Sequence, residues 1–322
     1  MNIHIPCVSD QNIGGGYTFY GNFQKAMAAK FPDVHEVSEF DKHDILFAFS
    51  VTTVSGETID RSKKSGAKFI LRMDGVPEDS RNSGRGTRRL IEYSLKADWI
   101  IYQSEFIQRT VGRILADNGV KQPHNVVHNG VDVDIFTPNG DKIAFKGSPK
   151  ILHMAYRKDQ NKRYEEVLAM YREYWTYNKE ANLYLLGRYP SEWMNYNMGF
   201  FNGERHQRLG IVTDPVAKAA MIRSCDFLFY PSFADPAPNV VLEAMACGVP
   251  VMYHPYGGSN EIVIDNAAGM AIDPKESYIS QINRMMENRE AYSVCAREIA
   301  TRHSLEIMAI NYMNVFQNAQ SV

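Results

Sequence analysis

Short apolar segments alternate with amphipathic helical patterns along the chain, and this alternation limits the possible folds more than any other feature. The segments are a few residues long and rich in Val, Ile, Leu and aromatic residues, as buried parallel strands are. They cover residues 3–7, 45–49, 68–73, 99–102, 125–128, 151–154, 182–186, 226–230 and 249–253, with a weaker one near Met270. Helical patterns cover residues 18–30, 87–96, 106–116, 164–177, 215–224 and 305–318. The order predicts an α/β protein with parallel sheets.

The alternation is interrupted at residues 136–149, a segment rich in Gly, Pro, Asn and Ser that has little periodicity. A chain of 322 residues is also longer than one hydrophobic core usually serves. We therefore predict two domains, at residues 1–145 and 146–322. Each half shows about five strand–helix units, so we expect two Rossmann-like domains facing each other across a cleft, with ligands at the carboxyl ends of the strands.

Composition excludes several classes of protein. Thirty-five Lys and Arg against 37 Asp and Glu leave a net charge of −2, which argues against a uniformly basic nucleic-acid-binding protein. The four cysteines are far apart, which excludes zinc and redox motifs and favours a reducing compartment. No apolar run approaches the roughly 20 residues of a membrane span, and the first residues do not resemble a signal peptide. We expect a soluble, cytoplasmic protein without a transmembrane segment.

The helix predicted at residues 239–247 carries the strongest chemical signal. Glu243 is its single charge, and Gly248 and Pro250 favour its end. A buried carboxylate without a partner is costly, so Glu243 needs one. The partner could be a pair of sugar hydroxyls, since a carboxylate accepts two donors side by side, or an internal Arg or Lys. The start of this helix, at Asn239, Val240 and Val241, offers backbone N–H groups that suit a diphosphate.

The surroundings of this helix resemble the donor-binding signature of family-4 glycosyltransferases, which have the GT-B fold. In that family, two acidic residues separated by seven positions lead into an Ala-Met-Ala-x-Gly-x-Pro-Val run. Asp235 and Glu243 have this spacing, and residues 244–251 match the run. Further matches follow the family's order: His-Asn-Gly-Val-Asp at residues 128–132 with Phe136 and Pro138, then Arg157 and Lys162, then Gly257, Gly258 and Glu261.

The resemblance implies a retaining glycosyltransferase that moves a hexosyl or similar group from a nucleoside-diphosphate sugar, a UDP or GDP sugar first of all, to a hydroxyl acceptor. It implies no metal and no other cofactor. Arg157 and Lys162 would neutralise the diphosphate leaving group, and Glu243 would hold the ribose. Asp235 would bind sugar hydroxyls near the reacting carbon, where the family usually has Glu. In this GT-B fold the C-terminal helix could pack back on the N-terminal domain.

The resemblance also draws attention to two places in the first domain. Gly15 and Gly16 follow the first strand, where the family has a Gly-Gly loop that closes over the donor phosphates; a flexible turn is the alternative. Many members have a histidine near the end of the strand at residues 68–73, and Asp74 stands there instead. Asp74 could contact the donor sugar or the acceptor hydroxyl, or it could cap the turn before Gly75.

Charge is distributed unevenly in this domain. Residues 61–89 carry nine basic and three acidic side chains, whereas residues 1–60 carry three basic and eight acidic ones. The basic segment would lie on the acceptor side. Its arginines predict an anionic acceptor, such as a phospholipid headgroup, a phosphorylated glycan or nucleic acid, or else a solvated loop paired with Glu78 and Asp79. The arginines in question are Arg72, Arg81, Arg85, Arg88 and Arg89.

Two other functions stay open on the sequence. A non-catalytic nucleotide- or glycan-binding module would retain the motifs without the chemistry. A glycosyltransferase acting on hydroxylated bases of DNA would account for the basic segment, and its acceptor binding would weaken steeply with salt. Asp132 and Asp134 form an Asp-x-Asp pair in the predicted linker, which we interpret as turn-forming and not as a metal site.

Overall fold

The computed structural model describes residues 1–6, 15–75, 84–156, 160–196, 206–264 and 267–321. The chain divides into two compact units. Unit 1 comprises Met1–Gly130 together with Leu305–Val322, and unit 2 comprises Val131–Ser304.

Each unit contains a six-stranded sheet in which every described pairing is parallel. The strands are β1 (Asn2–His4), β2 (His35–Val37), β3 (Ile45–Ala48), β4 (Lys68–Met73), β5 (Trp99–Tyr102), β6 (His124–Val126), β7 (Lys150–Ala155), β8 (Asn182–Gly187), β9 (His206–Gly210), β10 (Phe227–Tyr230), β11 (Val251–Tyr253) and β12 (Gly269–Ala271). The described α-helices are α1 (Gly15–Lys30), α2 (Gly56–Lys64), α3 (Arg85–Lys96), α4 (Glu105–Asp117), α5 (Tyr164–Tyr177), α6 (Ser191–Tyr196), α7 (Pro215–Arg223), α8 (Asn239–Ala246), α9 (Ser259–Val263), α10 (Tyr278–Glu287), α11 (Arg289–Thr301) and α12 (Leu305–Ser321).

Burial explains which strands the apolar pattern predicts. Every residue of β3, β8 and β10 is buried, so their sequences are nearly continuous apolar runs. The pattern fails to predict β2 and β9, which are edge strands with mostly exposed residues. The prediction of two α/β units with parallel sheets is confirmed.

The strand order places a crevice in unit 2. The sheet runs β12-β11-β10-β7-β8-β9, so the chain builds outward from β7 in one direction and then from β10 in the other. The connections that leave the carboxyl ends of β7 and β10 therefore diverge. Such a switch point is the usual ligand site of an open parallel sheet.

The chain passes from unit 1 to unit 2 between residues 130 and 131, before the predicted boundary at residue 145, and it returns to unit 1 at Leu305, within the predicted second domain. The segment that we interpreted as a linker belongs to unit 2, because two arginines satisfy its backbone carbonyls. Arg223 donates to the carbonyl oxygens of Thr137 and Asp141, both at 3.1 Å. Arg297 donates to the carbonyl oxygen of Phe136 at 2.8 Å. Backbone carbonyls that leave water need such donors, and sequence periodicity does not reveal them.

The C-terminal helix α12 packs in unit 1, as the fold prediction anticipated. Its aromatic side chains join those of α1 and β3 in one core cluster. The ring centroids of Phe23 and Tyr312 are 5.2 Å apart, and those of Phe47 and Phe316 are 5.4 Å apart, both with edge contacts. These geometries are favourable for aromatic pairs.

Arg72, expected among surface arginines on the acceptor side, is instead buried, with 1% of its surface exposed. Its guanidinium donates to Gln103 Oε1 and Asn129 Oδ1, both at 2.6 Å. The guanidinium carbon also lies 3.9 Å from the centroid of the Phe19 ring. Arg72 therefore cross-links β4, α1 and the segments that follow β5 and β6, and it does not belong to the exposed basic group.

Replacing Arg72 by Ala should lower the free energy of unfolding by about 2–5 kcal/mol, because it leaves a cavity and two buried acceptors without donors. Denaturant titration followed by circular dichroism measures the loss. The matched control is Arg85→Ala, which removes an exposed arginine. Equal stability of the two variants would contradict the cross-linking role of Arg72.

Candidate functional site

A cluster of three charged and polar groups lies at the switch point of unit 2. Lys162 follows β7 at the end of the 3₁₀ turn Gln160–Lys162, Tyr230 ends β10, and Asp235 lies in the next loop. Lys162 Nζ is 2.5 Å from Asp235 Oδ2 and 3.0 Å from the Tyr230 hydroxyl. The same hydroxyl donates to Asp235 Oδ2 at 2.7 Å. The two charged side chains are each 16% exposed, so the pair is largely removed from water.

Electrostatics keep this pair ionised. Burial disfavours both charges, but the attraction and the hydrogen bonds between the partners outweigh it. The pKa of Asp235 is held below its ordinary 3.8, and the pKa of Lys162 is raised above its ordinary 10.5. Burial, followed by the nearby Asp235, raises the pKa of Tyr230, so the phenol stays protonated as a donor. The pair's contribution to stability is lost only as pH falls through the Asp235 pKa or rises through the Lys162 pKa, so it persists across neutral pH.

The loop that carries Asp235 is held in a strained conformation. Ala234 has a φ of 53°, a backbone angle that residues with a Cβ rarely adopt. Its N–H donates to the carbonyl of Tyr256, and Gly258 N–H donates to the carbonyl of Asp235, both at 2.8 Å. A Cβ at Gly258 would lie 2.0 Å from the Pro236 carbonyl oxygen. The Gly-Gly element of the predicted signature therefore has a physical reason: it lets the two loops approach closely.

A second buried ion pair lies beside the segment that follows β7. Glu243, 4% exposed, accepts from Lys218 Nζ through Oε1 at 2.7 Å. Its other oxygen, Oε2, is buried without a hydrogen-bond partner in the described part of the chain. Lys218 Nζ is 5.7 Å from the ring centroid of Tyr156, the residue directly after β7. Burial and then the Glu243 charge raise the pKa of Tyr156. The internal partner that we weighed for Glu243 is thus present, and one carboxylate oxygen is left over.

The helix that carries Glu243 begins at Asn239 as predicted and ends at Ala246, one residue before the predicted end. Pro238 precedes α8, and no side chain caps its start. Asn239 and Val240 are half-buried there, whereas Val241 is buried and donates its N–H to the Pro238 carbonyl at 3.1 Å. Gly248 follows the helix with a φ of 69°, the left-handed conformation that ends helices.

Several other predicted site residues take different positions. Arg157 and Arg81 lie outside the described residues. Gly15 and Gly16 are the first two residues of α1, so this helix begins earlier than predicted and the two glycines are not part of a loop. Asp74 directly follows β4 and is exposed.

The remaining basic residues divide into exposed and bonded ones. Arg85 and Arg88 are exposed near the start of α3. Arg89 donates to the Val54 carbonyl at 2.6 Å and lies over the Tyr93 ring, so it is not freely solvated.

Asp132, the first residue of the Asp-x-Asp pair, forms a turn. Asp132 Oδ1 accepts from the backbone N–H groups of Asp134 at 3.2 Å and Ile135 at 3.3 Å. Within the described ranges, no group of three His, Cys, Asp or Glu side chains has the arrangement of a metal site. No helix in the same ranges is both long and apolar enough to cross a membrane.

Sequence reasoning missed Lys218, Tyr230 and Tyr156. Lys218 shares α7 with one other charged residue, Arg223 at the end of the helix, whereas Glu243 is the single charge of α8. A basic residue within the apolar part of α7 is the signal that could have suggested a partner for Glu243. Tyr230 and Tyr156 give no comparable signal, because a tyrosine at the end of a buried strand is as often a core residue.

Comparison with known proteins identifies the family. Residues 137–302, just over half of the chain, match the glycosyl transferases group 1 family. The chain belongs to this family. A probable sucrose-phosphate synthase of Thermosipho melanesiensis is 22% identical over 205 residues, which cover 62% of this chain and 48% of that protein. The aligned segments span 18–48% of the lengths of the curated relatives.

Solved structures share the fold over nearly the whole chain. HepE from Anabaena, crystallised in complex with UDP, is 16% identical, with a TM-score of 0.75 over 99% of this chain and 100% of that chain. Sucrose-phosphate synthase from Thermosynechococcus elongatus is 14% identical, with a TM-score of 0.78 over 98% of both chains. At these identities the similarity establishes the fold, which is that of GT-B glycosyltransferases.

A double-mutant cycle tests the buried pair. Lys162→Met alone should destabilise the protein by about 3 kcal/mol, because it leaves Asp235 buried without its counter-ion. In the double variant with Asp235→Asn, most of this loss should be recovered, with a coupling energy of about 1–3 kcal/mol. Denaturant unfolding of the four proteins at pH 7 measures it. Strictly additive losses would contradict the pairing.

Proposed function

We propose that the protein transfers a sugar from a UDP-sugar to a hydroxyl acceptor. One observation carries the proposal. Lys162 lies on the segment that follows β7, at the switch point of unit 2, and Glu243 lies beside the same segment. Lys162 supplies an ionised ammonium, and Glu243 supplies a carboxylate with one oxygen that has no hydrogen-bond partner among the described residues. A nucleoside diphosphate sugar needs both a cation for its diphosphate and an acceptor for its ribose hydroxyls.

The donor would use both clusters. Glu243 Oε2 would accept from a ribose hydroxyl while Oε1 keeps its bond to Lys218. Lys162 would turn from Asp235 to the diphosphate, aided by the uncapped start of α8. Arg157 is proposed for the same anion on the strength of the family resemblance. UDP is favoured over GDP because HepE, whose fold the chain shares, was crystallised with UDP and with UDP-glucose.

The chemistry follows from where charge develops. The bond between the anomeric carbon and the diphosphate oxygen breaks, and that oxygen keeps the electron pair. An acceptor hydroxyl forms the new bond to the same carbon, and its proton passes to the departing diphosphate. Lys162 stabilises the charge on the leaving group, and a charge-assisted bond of this kind contributes about 1.5–3 kcal/mol. Asp235, released by Lys162, can then accept from sugar hydroxyls.

Retention of configuration, family-4 membership and independence from a metal are proposed on the resemblance. An anionic acceptor is supported by Arg85 and Arg88, which are exposed near the start of α3, where the first turn has no acidic residue. A helix start of this kind attracts anions. A phosphorylated glycan or lipid headgroup fits this chemistry, and nucleic acid with hydroxylated bases is the alternative.

The test is the slow hydrolysis of UDP-glucose, in which water replaces the acceptor hydroxyl and UDP is released. Glu243→Gln should bind UDP about 10- to 100-fold more weakly, because it replaces a charged acceptor and retains the bond from Lys218. Titration calorimetry measures the binding of UDP, and the rate of UDP release measures the hydrolysis of UDP-glucose. The control is Glu298→Gln, an exposed position on α11. UDP binding with no release from UDP-glucose would favour the non-catalytic module, and the absence of UDP binding would contradict the proposal.

A further inference from the structure

Two large aromatic rings are exposed beside the Lys162–Asp235 cluster. Phe233 is 41% exposed and Tyr256 is 48% exposed. Their rings stack on each other, with centroids 4.9 Å apart and planes inclined by 25°. The His254 ring meets Phe233 edge-on at 5.2 Å. Leaving this much aromatic surface in water costs free energy, and clustered exposed apolar surface commonly marks a binding site.

The stack is fixed to the candidate active site by its backbone. Phe233 N–H donates to the carbonyl of Asn161, the residue before Lys162, at 2.8 Å. Ala234 N–H donates to the carbonyl of Tyr256 at 2.8 Å. Ala234, whose φ is strained, lies between Phe233 and Asp235 in the chain. Two aromatic rings are therefore held in a defined orientation close to the charged cluster, which is what a preorganised binding surface requires.

We propose that Phe233 and Tyr256 form a platform for the sugar ring of the acceptor, so that the acceptor is a glycoside. The proposal rests on the proposed function, because it assigns the second substrate of the same site. One face of a pyranose presents several polarised C–H bonds, and these complement the negative face of an aromatic ring. The hydroxyls around the edge of the sugar need polar partners.

The chemistry favours the acceptor over the donor as the occupant. The donor is an anion whose affinity comes from charged contacts at Lys162 and Glu243. The sugar ring of the acceptor, whether or not the acceptor also carries a phosphate, offers hydroxyls and C–H faces, so it needs an apolar surface with a few polar groups. His254 adds one of these: Nδ1 accepts from Tyr256 N–H at 3.0 Å, which leaves the proton of the neutral ring on Nε2 as a donor.

Saturation-transfer NMR tests the platform directly. The probes are the methyl glycosides of D-glucose, D-galactose and D-mannose, with the protein unliganded. At least one should receive saturation at its ring C–H protons. Phe233→Ala and Tyr256→Ala should each weaken its binding about 3- to 10-fold. Tyr256→Phe, which keeps the ring, should retain it, and so should Tyr177→Ala, which removes an aromatic side chain that is 61% exposed on α5.

Equal transfer in the wild type and in both alanine variants would overturn the proposal, and so would the absence of transfer from all three glycosides. Unfolding midpoints of the variants establish that loss of transfer is not loss of fold. UDP calorimetry on the wild type separates the two proposals. Sugar binding without UDP binding would support the platform and contradict the proposed donor site. UDP binding without sugar binding would support the donor site and contradict the platform.

Discussion

The ion pair between Lys162 and Asp235 joins two loops that are 73 residues apart in sequence. They become neighbours only because β7 and β10 pair in the centre of the parallel sheet. On one side of this pair the later strands are added next to β7, and on the other side they are added next to β10. Burying two charges is costly, and apolar side chains would often serve stability as well. A pair retained in such a place makes sense if one partner is needed for a ligand. In that view Asp235 and Tyr230 hold Lys162 ionised and oriented until a diphosphate replaces the carboxylate.

The same arrangement recurs at Glu243. Lys218 neutralises the carboxylate through one oxygen, and the other oxygen remains buried and unpartnered in the described residues. Each cluster thus combines a charged group that a nucleotide sugar would use with a partner that stabilises the protein without it. If the proposed function holds, replacing Lys162 or Glu243 should therefore affect stability as well as binding. Variants that keep a hydrogen-bonding group at the position, such as Glu243→Gln, separate the two effects best.

Much of the fold could be predicted because central strands are buried on both faces. The runs at β4 and β5 were predicted to the residue, and α5 likewise. Edge strands such as β9 have no such pattern, because their residues face water. The need of Glu243 for a partner followed from burial alone, but the identity of that partner depended on how α7 and α8 pack. The burial of Arg72 could not be predicted, since its partners lie on segments that are distant in sequence.

A crystal structure of the protein with UDP is the most direct test of the proposed donor site. We expect Lys162 Nζ to leave Asp235 and to lie within about 3.2 Å of a diphosphate oxygen. We also expect a ribose hydroxyl to lie within the same distance of Glu243 Oε2, while Lys218 keeps its bond to Oε1. A nucleotide bound elsewhere, or one bound here with the Lys162–Asp235 pair intact and no contact to Glu243, would contradict it.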